Sequence, residues 1–356
     1  MNLAIRSNGF DYLLIISVGA WATALAYIMN SIFEMPAISD YYWLFLVVAV
    51  DVSHVYSSLY RTYLSEKGRL EYSHLLKIIP FVCFVCAFGF AYLSVALFWR
   101  VLVYVAVFHF IKQQAGFVRI YSKRKFSLDE IMVYVVTVGA IAVWHLSSEK
   151  GFQWFIKNDF LRFDYMSESL RVRLVSLLNG FILFSLAVYL ALKSHSLFTD
   201  RSRFNDKSFV LTLSTFVAWY FGIVANSSDF IFTFTNVVTH GVPYLALVWH
   251  TQKKENTVFS EVSVFVSILL FLAFIEEAFW DTFIWRDHSQ FFESFYFVPA
   301  LVSRIGIAFG LALLVLPQLT HYVLDGYIWR SKGISRPWSP RAELTALEDH
   351  AGISNH

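Results

Sequence analysis

Ten apolar runs of about twenty residues follow one another along the chain, near 11–30, 41–63, 75–96, 100–121, 128–147, 171–193, 207–226, 229–251, 258–280 and 300–323. A helix needs roughly that length to cross the hydrocarbon core of a bilayer. The pattern therefore predicts an all-α polytopic transmembrane bundle of about ten helices. The first run is long for the apolar core of a secretory signal and only Arg6 precedes it, so it reads as an uncleaved first helix.

The polar connections sort by charge. Those after the even runs carry Arg61, Lys67 and Arg69; Lys123, Arg124 and Lys125; Lys193, Arg201 and Arg203; Lys253 and Lys254; and Arg330, Lys332 and Arg336. Those after the odd runs are poor in basic residues or balanced by acid, as with Glu34 and Asp40 or Asp281 to Glu293. Under the positive-inside rule both termini fall in the cytoplasm, as in a multi-pass protein of a bacterial inner membrane. Residues 1–330 form the bundle on this reading, and 331–356, with Pro337, Pro340 and mixed charge, form a mobile cytoplasmic tail. The outer connection near 150–168 mixes Trp154, Phe155, Phe160 and Phe163 with charges and predicts an interfacial helix.

Composition supports the membrane reading and narrows the partners. The chain is 57% hydrophobic and 15% charged, with a mean hydropathy of +0.56, whereas a soluble domain carries roughly 25% charge. The lipid bilayer is thus its solvent. A net charge of +2, scattered at helix ends, gives no nucleic-acid footprint. Cys83 and Cys86 lie in the third run without a second pair and read as small packing residues.

Ionisable groups at membrane depth are costly and are functional candidates by default. Four even runs supply them: Asp51 and His54, His109 and Gln113, His240 and Tyr244, His321 and Asp325. Each pair is spaced i,i+3 or i,i+4 and shares a helix face. All four runs cross in one direction, which puts His54, His109 and His240 at similar depth and His321 one or two turns nearer the cytoplasm. Glu276, Glu277, Asp281 and His145 fall toward the outer surface; His74, His195 and His250 fall near cytoplasmic ends. Imidazole is the commonest protein metal ligand. The expected ligands are therefore His54, His109, His240 and His321, with Asp51 and Asp325 as ligand or orienter, Gln113 as a supporting donor and Tyr244 as a proton or electron donor.

The His240-x-x-x-Tyr244 spacing resembles the pair beside copper in haem-copper oxidases, but that family's adjacent His-His pair and its His-x-His ligands are absent. The HxxxH and HxxHH boxes of membrane desaturases and hydroxylases are absent as well. The expectation is a membrane-embedded oxidoreductase of oxygenase or desaturase type, with a mono- or dinuclear metal centre of iron, an apolar or lipid substrate and an unidentified redox partner. Two alternatives use the same residues: a b-type haem protein with axial histidine pairs, and a transporter with a proton relay, for which no sequence repeat is visible.

Overall fold

The computed structural model describes residues 5–329 except 6, 36, 123, 125, 148, 149, 151, 158, 164, 200, 202, 203 and 253–258. The predicted tail at 331–356 lies outside the described residues, as do Lys253, Lys254 and Arg330.

Helix follows helix through the described residues, and no strand forms among them. Eight helices are long and apolar enough to cross a membrane: α2 (Asp40–Thr62), α3 (Leu75–Leu93), α4 (Val95–Ser122), α5 (Leu128–Leu146), α6 (Glu168–Thr199), α7 (Asp206–Val224), α8 (Asp229–Thr251) and α9 (Val262–Trp285). Two bent pairs make up to ten: α1 (Asn8–Ile16 and Val18–Phe33, bent 56°) and α10 (Arg304–Leu314 and Leu316–Ile328, bent 42°). The protein is a multi-pass, all-α integral membrane bundle, and every apolar run of the sequence contributes a helix.

The bends have local causes. In α1 the last turn before Ser17 widens, and the Ser17 amide and hydroxyl both donate to the Tyr12 carbonyl. The Ala20 amide is shared between the Ser17 carbonyl and the Ser214 hydroxyl of α7, both at 3.0 Å. In α10 Pro317 sits at the start of the second segment, where a missing N–H is tolerated. That segment runs on to Ile328, five residues beyond the end of the apolar run, so His321 lies well inside the span.

Burial separates the helices by role. α8 is enclosed by neighbours, whereas α6 is apolar on all sides and leaves Leu177, Phe181, Phe184 and Leu192 exposed, as suits a helix facing lipid. α6 is tied to the bundle through buried Asp129 of α5, which accepts from Tyr189 at 2.6 Å and from Ser208 of α7 at 2.7 Å, and pairs with Lys193 at 2.6 Å.

The segment between α5 and α6 departs from expectation. Its described residues form turns and bends rather than an interfacial helix. Asp159 is the physical reason: its carboxylate accepts the amides of Phe155, Ile156 and Phe160 at 2.7, 3.2 and 2.9 Å, offering the backbone an alternative to helical bonding. Burial pushes the Asp159 carboxyl above its ordinary range, against the pull of these amides. Lys150 donates to the carbonyls of Val224 and Asn226 at the end of α7, and a ring nitrogen of His145 donates to the Leu161 carbonyl at 2.7 Å. Phe152, Trp154 and Phe160 then turn into the bundle, where Phe152 stacks on Phe232 at 4.3 Å. The segment is a plug rather than a surface helix.

Candidate metal centre

Close approach of two helices comes first. A Cβ on Gly241 of α8 would lie 2.7 Å from the Val50 side chain and 3.1 Å from its carbonyl, so glycine at this position lets α8 settle against α2. His240 and His54 are brought together there edge to face, with ring centroids 4.5 Å apart. α10 adds His321, 4.9 Å from His54, and α4 adds His109, 4.6 Å from His321 and 5.1 Å from His240. Four imidazoles from four helices thus close a ring. One ligand nitrogen from each lies within 4.8 Å of all the others. Nitrogens around a single ion lie roughly 3–4 Å apart, given bonds of ~2.0–2.1 Å. Shortening the widest separation by about 1–2 Å closes the set on one ion.

All four rings are buried, and six of their nitrogens make no hydrogen bond: both of His54, both of His240, and Nε2 of His109 and His321. An unsatisfied buried polar atom costs ~1–3 kcal/mol. A group of four imidazoles with six unpaired nitrogens in one place is what a cation would relieve, and the donor set fits a metal ion.

The surroundings orient the rings. Nδ1 of His321 meets the Ser58 hydroxyl at 2.9 Å, which leaves Nε2 for the centre. Nδ1 of His54 lies 3.4 Å from Asp51 Oδ1. Phe110 stacks on His240 at 3.5 Å and Tyr322 on His109 at 4.6 Å. Asp325 stands at the rim: Oδ1 accepts from the Tyr244 hydroxyl at 2.5 Å and lies 3.6 Å from His321 Nδ1, while Oδ2 is 4.0 Å from His109 Nε2. Tyr244 also receives the Trp329 indole N–H at 3.3 Å.

Gln113 does not reach a ring. It donates to the backbone carbonyl of His240 at 2.7 Å, and its neighbour Gln114 donates to that of Thr239 at 3.3 Å. Pro243 in α8 lacks the N–H that would otherwise bond the Thr239 carbonyl. The paired glutamines of α4 thereby repair the turn of α8 that carries His240, and Thr215 fixes Gln114 in place at 3.2 Å.

All six predicted ligand and orienting residues meet at this place, together with Tyr244, and Gln113 supports its backbone. His145, His74, His195 and His250 stand outside the group. Glu276, Glu277 and Asp281 also stand outside it, yet they are buried rather than at an outer surface. Trp280 donates to Glu276 at 3.2 Å, while Asp281 accepts the amides of Asp287 and His288 at 2.9 Å. Sequence reasoning missed Ser58, Phe110 and Tyr322. Ser58 could have been found, since it lies one helical turn after His54 on the same face; the two stacking rings carry no signal among so many aromatics.

No family model, curated protein or solved structure matches this chain.

Proposed function

We propose that the chain is a membrane-embedded, metal-dependent oxidoreductase of oxygenase or desaturase type that acts on a lipid or other apolar substrate. One observation carries the reading: four buried histidines from α2, α4, α8 and α10 converge with six ring nitrogens that no protein group satisfies. Imidazole sites suit iron, zinc, copper or nickel; we favour iron, as one ion or two, because a centre walled off from water by buried aromatic residues suits dioxygen chemistry better than hydrolysis. Iron would supply one-electron and dioxygen chemistry at this place.

The side chains have distinct roles in this reading. His54, His109, His240 and His321 hold the ion. Ser58 fixes the His321 ring, since a ligand imidazole is oriented by the bond its other nitrogen makes, and Asp51 stands 3.4 Å from Nδ1 of His54, close enough to take up the same part there once the ring is a ligand. Asp325 offers Oδ2 toward the ion and holds the Tyr244 hydroxyl, which is placed to deliver a proton or an electron. Phe110, Tyr322 and the Trp154 plug keep water from the centre, Trp154 lying 5.0 Å from Phe110. A haem is disfavoured because the four rings close on one another between Phe110 and Tyr322, which leaves no flat slot for a macrocycle. Basic residues after the even helices support insertion with both termini in the cytoplasm, as in a bacterial inner membrane.

Elemental analysis and an absorbance spectrum of the purified protein test the proposal together. About one or two equivalents of iron without a haem band are expected. Each His→Ala replacement should remove metal while the protein remains folded in detergent. A folded wild-type protein that takes up no transition metal would sink the reading.

A further inference from the structure

A centre walled in by buried side chains needs a route for electrons, and a line of bonded residues reaches it from the end of the bundle that the basic connections assign to the cytoplasm. Trp329 directly follows α10 and is half-buried, packed against the apolar clusters that hold Tyr244 and Tyr121. Its indole N–H donates to the Tyr244 hydroxyl at 3.3 Å, and that hydroxyl donates to Asp325 Oδ1 at 2.5 Å. The Tyr244 ring is 1% exposed. Its centroid stands 6.0 Å from that of Trp329, 5.2 Å from His321 and 5.8 Å from His54.

Both bonds point inward. A proton shifted along either one moves from the end of α10 toward the histidines, with Asp325 as the last acceptor beside His321 and His109.

Arg61 of α2 sets the chemistry at the entrance. Its guanidinium lies 4.0 Å over the Trp329 ring and donates to Thr251 of α8 at 3.3 Å. A fixed positive charge so close opposes a second one on the ring. An indole held in this way loses an electron most readily together with its N–H proton, and the Tyr244 oxygen already accepts that N–H. Tyr322, the other tyrosine at the centre, offers no such line: it stacks on His109, but its hydroxyl receives the side-chain amide of Gln318 at 2.8 Å, and an amide does not relay electrons.

We infer that Trp329 and Tyr244 form a relay that carries electrons and protons together from a one-electron carrier in the cytoplasm to the histidine centre. The inference rests on the metal-centre reading and adds the side from which the redox partner acts. Tyr244 gives an electron to the centre oxidised by dioxygen, and its phenol proton goes to Asp325 Oδ1. Trp329 then passes a hydrogen atom to the Tyr244 oxygen along their bond. Trp329 regains an electron from the carrier and a proton from water, while the proton on Asp325 goes to the oxygen being reduced. Each pass oxidises the carrier by one electron and leaves the relay unchanged. A pair of passes supplies the electrons and protons that oxygenation or desaturation draws from a carrier.

Full-length protein loaded with ferrous iron is mixed with hydrogen peroxide as oxidant, frozen, and read by electron paramagnetic resonance, with ring-deuterated tyrosine or tryptophan to assign the signals. Wild-type protein should show radicals on both residue types, and ascorbate should quench them. Tyr244→Phe should lose both signals with iron retained. Trp329→Phe should lose the tryptophan signal and keep a tyrosine radical that the same ascorbate no longer quenches; Trp329→Tyr, which keeps an oxidisable ring and a donor, should restore quenching in part. Without ascorbate, oxygen from peroxide should add to Trp329 in preference to the stacked pair Trp280 and Trp285, as read by mass spectrometry of peptides. A radical on Tyr322, equal oxidation of Trp280 and Trp285, or equal quenching in wild type and Trp329→Phe overturns the relay. Iron-bearing protein that forms no radical on tyrosine or tryptophan overturns the relay alone, whereas protein that binds no iron overturns the metal-centre reading and the relay with it.

Discussion

Ser58 shows how a residue with no metal-binding chemistry can decide a metal site. Its hydroxyl on Nδ1 of His321 fixes which nitrogen is left for the ion, and partners of this kind are worth ~10–100-fold in metal affinity. Ser58→Ala should therefore weaken metal binding by that order, as read by competition with a chelator, with little change in unfolding temperature. His321→Ala should abolish binding at the same chelator concentration. Equal losses in the two variants would mean that Ser58 supports the fold rather than the ring. Tyr244→Phe removes the hydrogen bond to Asp325 but none of the four imidazoles; metal content should hold while turnover falls. A loss of metal in that variant would place Asp325 among the ligands that the tyrosine positions.

At the scale of elements, the proline of α8 and the glutamines of α4 form one device. Pro243 leaves the Thr239 carbonyl without its helical donor, and Gln114 supplies one from the neighbouring helix. Leaving that carbonyl bare should cost ~1–3 kcal/mol, so Gln114→Leu should lower stability toward denaturant by that amount. In a Pro243→Ala background the restored N–H makes the glutamine redundant, and the same change should cost clearly less. A double-mutant cycle with no coupling would refute the repair. The plug between α5 and α6 gives a second element-scale prediction. Asp159 collects three backbone amides, so Asp159→Ala should speed hydrogen exchange at Phe155, Ile156 and Phe160 without affecting exchange in α8. Unchanged exchange would show that the buried aromatic residues hold the plug by themselves.

For the whole molecule, the direction of insertion sets which side each connection faces. With the native Cys83 and Cys86 replaced, a cysteine at Ser289 in the connection after α9 should react with an impermeant reagent from outside. Cysteines at Ser202 or Ser335 should react only after permeabilisation. The reverse pattern would invert the topology derived from the basic connections.

The number and kind of elements were readable in the chain because the bilayer leaves a backbone few options. Each apolar run must satisfy its own amides and carbonyls, so the run is the helix. The i,i+3 and i,i+4 pairing of Asp51 with His54 and of His321 with Asp325 was equally legible, since helical periodicity puts such pairs on one face without help from the rest of the protein. The segment near 150–168 was not, because its aromatic and charged residues fit a surface helix as well as a plug, and only the amides gathered by Asp159 and the apolar cluster against which Trp154 packs separate the two. The centre itself belongs to the tertiary structure. Four histidines on separate helices could have pointed to four places; the close approach at Gly241, the continuation of α10 to Ile328 and the rotation of each helix about its axis bring their nitrogens within 4.8 Å. Rotation and approach are set by packing between helices far apart in sequence, and a linear pattern records which face a residue occupies but not what that face meets.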